Sequence, residues 1–473
     1  MLYAVQPMKM KSILTAALFI LFLSDNAMGQ SCNCANEFSY IKDKIERNYA
    51  GFNDKVNKKT IATYNKHSQL ALEQSKSITS PAHCVYLIND WLTFFKDGHL
   101  QVGRNRISKA KEKIGLQQRL QRIERLHLSN EELALLKKTK GIPGIYRDQD
   151  SLIRIAVIKS KSPFRDYCGV VISSKISQWA PGQVLLEFKI DKDKIEGILY
   201  DKYYIPLLLS SNITKDTLGT FVKEGSESSP HELVSTELVA SKVLSKETLY
   251  LKISTFNQGN AKNIDSLIKA NQKRLSTMTN LIIDLRNNGG GADFAYSPLI
   301  PYLYTNTIKN IGADVLSTAD NIAGWAAVAT TDGLPPDQKV FISEVIKKME
   351  QHSGQLVSFS EDRNITLDSV ARYPKKIIIL MNKNCGSTTE EFLLLAKQSN
   401  KVILMGEYTA GVLDYSNMRG AEFSCMPYML YWPTSRSRRI DQGMAIDNVG
   451  IKPDVVLTAK QDWIKEAQHL AEQ

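Results

Sequence analysis

The stretch Leu281-Ile-Ile-Asp-Leu-Arg-Asn-Asn-Gly-Gly-Gly291 joins a short apolar run to a glycine-rich turn. This pattern is typical of a buried strand that ends in a tight turn. Further along the chain, Lys376-Ile-Ile-Ile-Leu-Met381 is a second such run, and Cys385-Gly-Ser-Thr-Thr-Glu390 follows it. We predict that the first strand brings main-chain N–H donors, and the second strand a serine, to one site. A serine beside N–H donors is the minimum equipment for acyl transfer.

Four motifs of the chain occur in an order that resembles a known family. They are Asp284-Leu-Arg-Asn-Asn-Gly-Gly290, Ser387-Thr-Thr-Glu390, Gly406-Glu-Tyr-Thr-Ala-Gly411 and Gly450-Ile-Lys-Pro-Asp454. The family comprises the tail-specific (C-terminal processing) proteases, the tricorn core protease and interphotoreceptor retinoid-binding protein. The resemblance covers about residues 245–458, with Asp97-Gly98-His99 as an outlying match. It implies a crotonase-like (spiral β/α) catalytic domain and serine peptidase activity.

The resemblance also implies roles for residues around the serine. The family's nucleophile lies three residues before the glutamate, which selects Ser387, and the amides of Thr388 and Gly290 would then hold the oxyanion. Taken without the resemblance, Ser387 and Glu390 fit a capping box at the start of a helix. The glycines likewise fit a turn that only needs positive φ.

A serine nucleophile needs a base. In the tail-specific branch this base is a lysine in a Gly-Lys-Gly context, but Val412 follows Gly411 here and cannot accept a proton. The tricorn-like branch uses a histidine from the N-terminal region, and of the seven histidines only His99 has a family-like setting. Imidazole titrates near neutrality, which suits a general base. We therefore predict His99 as the base.

The group that orients the base is less closely defined by the sequence. Asp447 occupies the place where the family commonly has a supporting glutamate, and Asp97 is the alternative. Gly98 replaces the serine that precedes the histidine in the tricorn-like tetrad. Cys385 is a rival nucleophile, although we expect its thiol to be buried or paired.

Metal and cofactor sites are not expected. The histidines are scattered, and Gly289-Gly-Gly291 lacks the Lys-Ser/Thr of a phosphate-binding loop. The net charge of +11 comes from 60 basic and 49 acidic residues spread along the chain, with no basic block interleaved with aromatic residues. We therefore predict no nucleic-acid partner.

The N-terminus has the pattern of a signal peptide. Lys9 and Lys11 precede the apolar run 13–23, and Ala27-Met-Gly29 provides a small-residue cleavage site before Gln30. The run is too short to span a bilayer, so we predict no stable membrane insertion and a periplasmic or secreted location. Lipoprotein anchoring at Cys32 is the weaker alternative.

After the signal peptide over 1–29, the length and pattern of the chain indicate three parts. We predict a helical region over 30–140, a β-rich domain over 141–240 and the crotonase-like peptidase domain over 241–473. The β-rich part contains apolar runs at 153–158, 169–172, 184–190 and 203–209. It lacks the carboxylate-binding loop of the PDZ domains found in many tail-specific proteases. A disulfide from Cys32 or Cys34 to Cys84 would be possible after export.

The sequence thus predicts an exported serine endopeptidase that acts on polypeptide substrates. One alternative is a catalytically silent binding protein on the same scaffold, and another is an esterase-like acyl hydrolase. The oligomeric state is left open.

Overall fold

The structure is a computed structural model that describes residues 33–104, 116–162, 164–191, 194–214, 216–226, 237–424, 426 and 428–473. The predicted signal peptide, its cleavage site and the alternative anchor Cys32 lie outside these residues. The described part is a multidomain α/β protein. Within these ranges, no helix has both the length and the apolar content needed to cross a bilayer.

The first part of the described chain is helical. It contains α1 (Cys34–Asn48), α2 (Phe52–Lys55), α3 (Ile61–Ser77), α4 (Pro81–Leu92), strand β1 (Gln101–Arg104), α5 (Leu116–Arg122) and α6 (Asn130–Leu136). Asn33 and Ser80 cap α1 and α4, because their side chains accept hydrogen bonds from amides of the first turn. A disulfide between Cys34 and Cys84 joins these two helices. The predicted link from the N-terminus to Cys84 is thereby confirmed, with Cys34 as the partner.

Eight antiparallel strands then close a barrel. They are β2 (Gly144–Asp148), β3 (Ile153–Lys159), β4 (Tyr167–Ser174), β5 (Val184–Asp191), β6 (Lys194–Tyr200), β7 (Pro206–Thr214), β8 (Thr217–Leu218) and β9 (Phe221–Lys223). Each strand pairs with two neighbours, and β9 closes the barrel on β2. Apolar side chains such as Ile155, Leu186 and Phe188 fill the interior. Strand β6 was not predicted, because charged residues and a glycine interrupt its apolar pattern.

A six-stranded sheet forms the centre of the C-terminal half. Its order is β10 (Val239–Val243), β11 (Thr248–Ile253), β12 (Asn280–Asp284), β17 (Lys376–Met381), β18 (Val402–Gly406) and β21 (Val455–Val456). All neighbours are parallel except β10 and β11. The two apolar runs that begin at Leu281 and Lys376 are therefore adjacent central strands, and the loops at their carboxyl ends lie side by side.

Helices cover both faces of this sheet. They are α7 (Ala261–Ala270), α8 (Gln272–Leu275), α9 (Ile300–Leu303), α12 (Thr388–Ala396) and α13 (Trp463–Glu472). Two further helices, α10 (Ala319–Ala329) and α11 (Pro336–Gln351), pack in a separate core with Val315. Successive side chains of a strand point to opposite faces. Ile283 and Ile379 accordingly pack in the core that contains α7 and α12, whereas Ile282 and Ile378 pack against Trp463 of α13.

A second, antiparallel sheet connects the two ends of the chain. Its strands are β1, β14 (Ala313–Leu316), β15 (Leu356–Ser360), β19 (Tyr415–Glu422) and β20 (Tyr428–Ser437), while β13 (Ile308–Asn310) and β16 (Arg363–Ile365) form a separate pair. Strand β1 pairs with β20, so that Val102 lies opposite Leu430. Phe38 and Trp91 of the helical region share one hydrophobic core with Trp432. The turn that carries His99 is thereby fixed beside the C-terminal half of the protein.

Candidate active site

Ser387 lies at the junction between strand β17 and helix α12. Its backbone has φ 55° and ψ −127°, a conformation that residues other than glycine rarely adopt. The Ser387 amide donates to Oε2 of Glu390 at 3.2 Å, and the Glu390 amide donates to the Ser387 carbonyl at 2.7 Å. The side chain is half-buried. This sharp turn sets the serine at the N-terminal end of a helix, where the helix dipole favours negative charge.

The glycine-rich turn after β12 packs directly against this serine. Gly290 has φ +104°, and a Cβ added to it would lie 2.8 Å from the Gly386 carbonyl oxygen, 2.9 Å from Ser387 Cβ and 3.0 Å from the Thr388 amide nitrogen. Only glycine permits so close an approach with this backbone. The structure thus brings together Ser387, Thr388 and Gly290, as the sequence predicts.

Asn288 holds this arrangement and was not singled out from the sequence. Its side chain is fully buried. Its Oδ1 accepts from the Gly290 amide at 3.0 Å and from Thr389 Oγ1 at 2.8 Å, and its Nδ2 donates to the Ile253 carbonyl at 3.1 Å. Asn288 therefore ties the glycine turn to helix α12 and to strand β11. In the sequence it is one polar residue of a turn, and nothing local marks these distant partners.

Glu390 has a larger role than the predicted cap. It is fully buried, and besides the Ser387 amide its carboxylate accepts from Thr409 Oγ1 at 2.5 Å, from the Gly411 amide at 2.7 Å and from the Val412 amide at 2.8 Å. Burial raises the pKa of this carboxyl, while the hydrogen bonds act in the opposite direction. Glu390 thus fastens the loop at 409–412 to the start of the serine helix.

His99 has one ring nitrogen committed to a main-chain partner. Its Nδ1 lies 2.7 Å from the carbonyl oxygen of Tyr415. A carbonyl can only accept a hydrogen bond, so Nδ1 carries the proton and Nε2 keeps its lone pair. The His99 amide donates to Oδ1 of Asp97 at 2.9 Å, and Oδ2 of Asp97 accepts from the Tyr49 hydroxyl at 2.7 Å. The turn is therefore anchored on both sides of the imidazole.

Val412 separates the histidine turn from the serine turn. A Cβ added to Gly98 would lie 2.6 Å from Val412 Cγ1, and a Cβ added to Gly386 would lie 2.8 Å from Cγ2. One side chain therefore contacts the residue before His99 and the residue before Ser387. A serine at position 98 could not fit against this valine. Gly98 and Val412 are two of the departures from the family pattern, and they pack against each other.

Residues 247–457 match the model of a family described as Peptidase family S41. The matched segment includes the glycine turn and Ser387. This segment belongs to peptidase family S41, and we call it the S41 domain. By this match the protein is a serine peptidase. His99 lies outside this segment, in the turn just before strand β1, which pairs with β20 of the matched segment.

Solved structures give more distant likenesses to this S41 chain. Mature CPAF is 14% identical, with a TM-score of 0.49 over 93% of this chain and 95% of that one. The photosystem II D1 C-terminal processing protease is 13% identical, with a TM-score of 0.38 over 90% and 93% of the two chains. The tricorn protease is 13% identical, with a TM-score of 0.38 over 93% of this chain and 36% of that one. No curated protein is a match for the chain.

The two carboxylates considered as orienting groups both bind main-chain amides. Asp447 Oδ1 accepts from the amides of Leu413 and Asp414 at 2.9 and 2.8 Å, and Asp97 binds the His99 amide. The ring itself has its hydrogen bond with the Tyr415 carbonyl. The sequence could not indicate that partner, because a main-chain carbonyl carries no residue signature.

The surroundings of Cys385 make its thiol a poor nucleophile. It is fully buried, and its thiol donates to the Leu285 carbonyl at 3.0 Å. Burial raises the pKa of this thiol to about 12, so that it is protonated at neutral pH. Since the thiolate is the reactive form of cysteine, Cys385 does not compete with Ser387. Among the described residues, no group of three or more His, Cys, Asp or Glu side chains could hold a metal ion.

Charged side chains lie near Ser387 within the S41 domain. Thr388 Oγ1 donates to the Gly291 carbonyl at 3.0 Å and to Asp293 Oδ1 at 3.1 Å. On the next turn of helix α12, buried Glu391 pairs with buried Arg439 at 2.5 Å. The Arg439 side chain is thus held inside the domain by an ion pair.

The titration of Asp447 should make the stability of the protein depend on pH. Burial, followed by the negative charges of Asp414 and Asp97, raises the pKa of Asp447 from 3.8 to about 7. The folded state therefore binds this proton more tightly than the unfolded state, and the stabilisation is lost as the pH rises towards 7. We expect the free energy of unfolding to fall through this window, by at most about 1.4 kcal/mol per pH unit from this group.

Urea unfolding at pH 5 and pH 7 measures this dependence. Asp447→Asn keeps an oxygen for the two amides but cannot titrate, so it should flatten the slope. Asp441→Asn is the control, because Arg436 lowers the pKa of Asp441 below its ordinary value of 3.8 and out of the window. An unchanged slope in Asp447→Asn would show that Asp447 is ionised throughout.

Proposed function

We propose that this S41 chain is an exported serine endopeptidase that hydrolyses polypeptides through an acyl-enzyme, with Ser387 as nucleophile and His99 as base. The junction at Ser387 carries the proposal. A non-glycine residue in a strained conformation begins a buried helix, and Gly290 and the Thr388 amide lie within contact of it. Strain of about 1–3 kcal/mol persists where the surrounding structure enforces it, and such positions cluster at active sites.

The proton path follows from the tautomer of His99. With Nδ1–H bonded to the Tyr415 carbonyl, Nε2 can take the proton of the Ser387 hydroxyl as Oγ attacks the carbonyl carbon of the scissile bond. The imidazolium then gives that proton to the departing amine. A water molecule, activated by the same nitrogen, releases the acyl group in the second half of the reaction.

The amides of Thr388 and Gly290 are the proposed oxyanion donors. Both amides lie next to Ser387, and the positive end of the α12 dipole would further stabilise the negative charge of the oxyanion. The Gly290 amide donates to Asn288 Oδ1 in the free protein. It would exchange this acceptor for the oxyanion, while Asn288 keeps the turn in place through its bonds to Thr389 and Ile253.

The proposal also includes the fold of the catalytic domain and the export of the protein. The run of parallel strands β11-β12-β17-β18-β21, with helices in the connections between the first four, supports a crotonase-like catalytic domain over 241–473. The Cys34–Cys84 disulfide supports export to an oxidising periplasmic or extracellular compartment, since disulfides are rare in the cytosol. The predicted cleavage before Gln30 would release the protein there.

Labelling of the mature protein with a fluorophosphonate tests the proposed activity. Such probes react with an activated serine hydroxyl, so we expect covalent labelling at Ser387, with cleavage of unfolded polypeptides in parallel. Mass spectrometry of the labelled peptide identifies the residue. Hydrolysis of simple esters without any cleavage of polypeptides would favour an acyl hydrolase instead. If the protein neither reacts with the probe nor hydrolyses either substrate, the proposal is wrong.

A further inference from the structure

Two aspartates of the S41 domain exchange hydrogen bonds with each other's main chain. Oδ2 of Asp414 accepts from the amides of Ile446 and Asp447 at 2.6 and 2.7 Å. In return, Oδ1 of Asp447 accepts from the amides of Leu413 and Asp414 at 2.9 and 2.8 Å. We call these four bonds the aspartate clasp. They lock the loop that ends at Tyr415 to the loop that begins at Ile446.

Both of these loops hold the turn that carries His99. Immediately after Asp414, the Tyr415 carbonyl accepts from His99 Nδ1 at 2.7 Å. Immediately after Asp447, Nδ2 of Asn448 donates to the Lys96 carbonyl at 2.8 Å. The clasp therefore sets the spacing of the two anchors between which the imidazole is held.

The clasp is not explained by local stability alone. Asp414 is 1% exposed, and its Oδ1 has no hydrogen-bond partner among the described residues. Burial of a carboxylate oxygen without a donor is unfavourable. A second carboxylate, Asp447, lies close enough to Asp414 for their charges to interact. A buried carboxylate beside a second, half-buried one is a costly way to close a loop. Such arrangements are concentrated at functional sites.

We propose that Asp414 is a positioning residue for the His99 imidazole. Through the clasp it fixes where the Tyr415 carbonyl lies, and thereby the direction in which Nε2 faces Ser387. Asp414 itself binds neither the imidazole nor the substrate. This inference rests on the proposed function of His99 as the base and adds the residue that aligns it.

Three variants distinguish a positioning role in catalysis from a contribution to the stability of the fold: Asp414→Ala, Asp414→Asn and the control Asp148→Ala. Asp148 likewise uses one carboxylate oxygen to accept two consecutive amides, those of Leu152 and Ile153 at 2.7 and 2.8 Å, but it lies in the barrel. Asp414→Ala should lower kcat about 100-fold with KM changed less than about threefold, a loss within the range of a misaligned general base. Asp414→Asn keeps an accepting oxygen and should stay within about tenfold of the wild type. Asp148→Ala should leave kcat unchanged.

A kcat near that of the wild type in folded Asp414→Ala would overturn the proposal. So would an Asp414→Asn variant as slow as Asp414→Ala, because charge rather than alignment would then matter. If Asp414→Ala does not fold, the variant Asn448→Gly tests whether the anchors of the His99 turn position the imidazole. Glycine suits the φ of +63° at this position and removes only the bond to Lys96. A roughly tenfold loss of kcat supports the anchor model, and an unchanged kcat contradicts it.

Nitrogen-15 NMR of selectively labelled histidine gives a readout that does not need activity. The Nδ1–H signal of His99, assigned with His99→Ala, should persist in the wild type and in Asp148→Ala. It should weaken or shift in Asp414→Ala, or in Asn448→Gly if the alanine variant does not fold. An unperturbed signal would refute the positioning role even if the wild type hydrolysed peptides. A perturbed signal in a protein without hydrolase activity would refute the proposed function alone.

Discussion

Replacement of Ser387 by alanine should abolish fluorophosphonate labelling and lower peptide hydrolysis by about 10⁴-fold or more, as loss of a serine nucleophile does elsewhere. The physical reason is that the next hydroxyls of helix α12, those of Thr388 and Thr389, already donate hydrogen bonds within the domain. The fold should survive, because Ser387 is held mainly through its amide and carbonyl. Loss of a cap would reduce the free energy of unfolding by only about 1 kcal/mol.

Two companion variants sharpen this test. Ser399→Ala makes the same chemical change just beyond the other end of helix α12 and should leave the rate unchanged. Ser387→Gly should also be inactive, yet more stable than Ser387→Ala by about 1 kcal/mol, because glycine tolerates φ 55° without strain. Undiminished hydrolysis by Ser387→Ala would remove this serine from the mechanism.

Replacement of His99 by alanine should lower kcat by about 10²- to 10⁴-fold, the usual contribution of a general base. The Tyr415 carbonyl holds Nδ1–H, so Nε2 is the nitrogen that acts. His67→Ala is the matched control, since the His67 ring also bonds a main-chain carbonyl, that of Trp91 at 3.2 Å. This variant should retain its kcat.

A lysine at position 412 should not replace the histidine. Val412 packs against Gly98 and Gly386, which leaves no room for a longer side chain without movement of both turns. We therefore expect no gain from Val412→Lys, either alone or combined with His99→Ala. Recovery of activity in the double variant would indicate that the lysine mechanism of the tail-specific branch operates on this scaffold. Near-normal turnover of His99→Ala would exclude histidine as the base.

The sequence predicted the parts of the site that have local signatures. Strand β12, its glycine turn, strand β17 and the serine at the start of a helix follow from apolar runs and turn residues. The match to family S41 and the contacts of Gly290 agree with those expectations. The Cys34–Cys84 disulfide was among the predicted pairings.

The remaining parts depend on distant contacts that a single sequence does not display. Asn288 and Glu390 each bind segments far along the chain, and the partner of the His99 ring is a main-chain carbonyl. Asp414 looks like an ordinary loop residue until Asp447 is placed beside it. The separation of His99 and Ser387 along the chain implies that the helical region folds back over the C-terminal half. It does not identify the core shared with strand β20, because periodicity indicates which face is buried but not what covers it.

The closed barrel bears on how a substrate is chosen. A PDZ-type module captures the free end of a peptide by adding it as a further strand to an open sheet edge. Every strand from β2 to β9 already has two neighbours, so the barrel has no such edge to extend. We therefore expect selection to depend on the side chains that flank the scissile bond within the S41 domain. We expect cleavage to follow local sequence and unfolded character, whether the bond lies near a terminus or in the middle of a long chain.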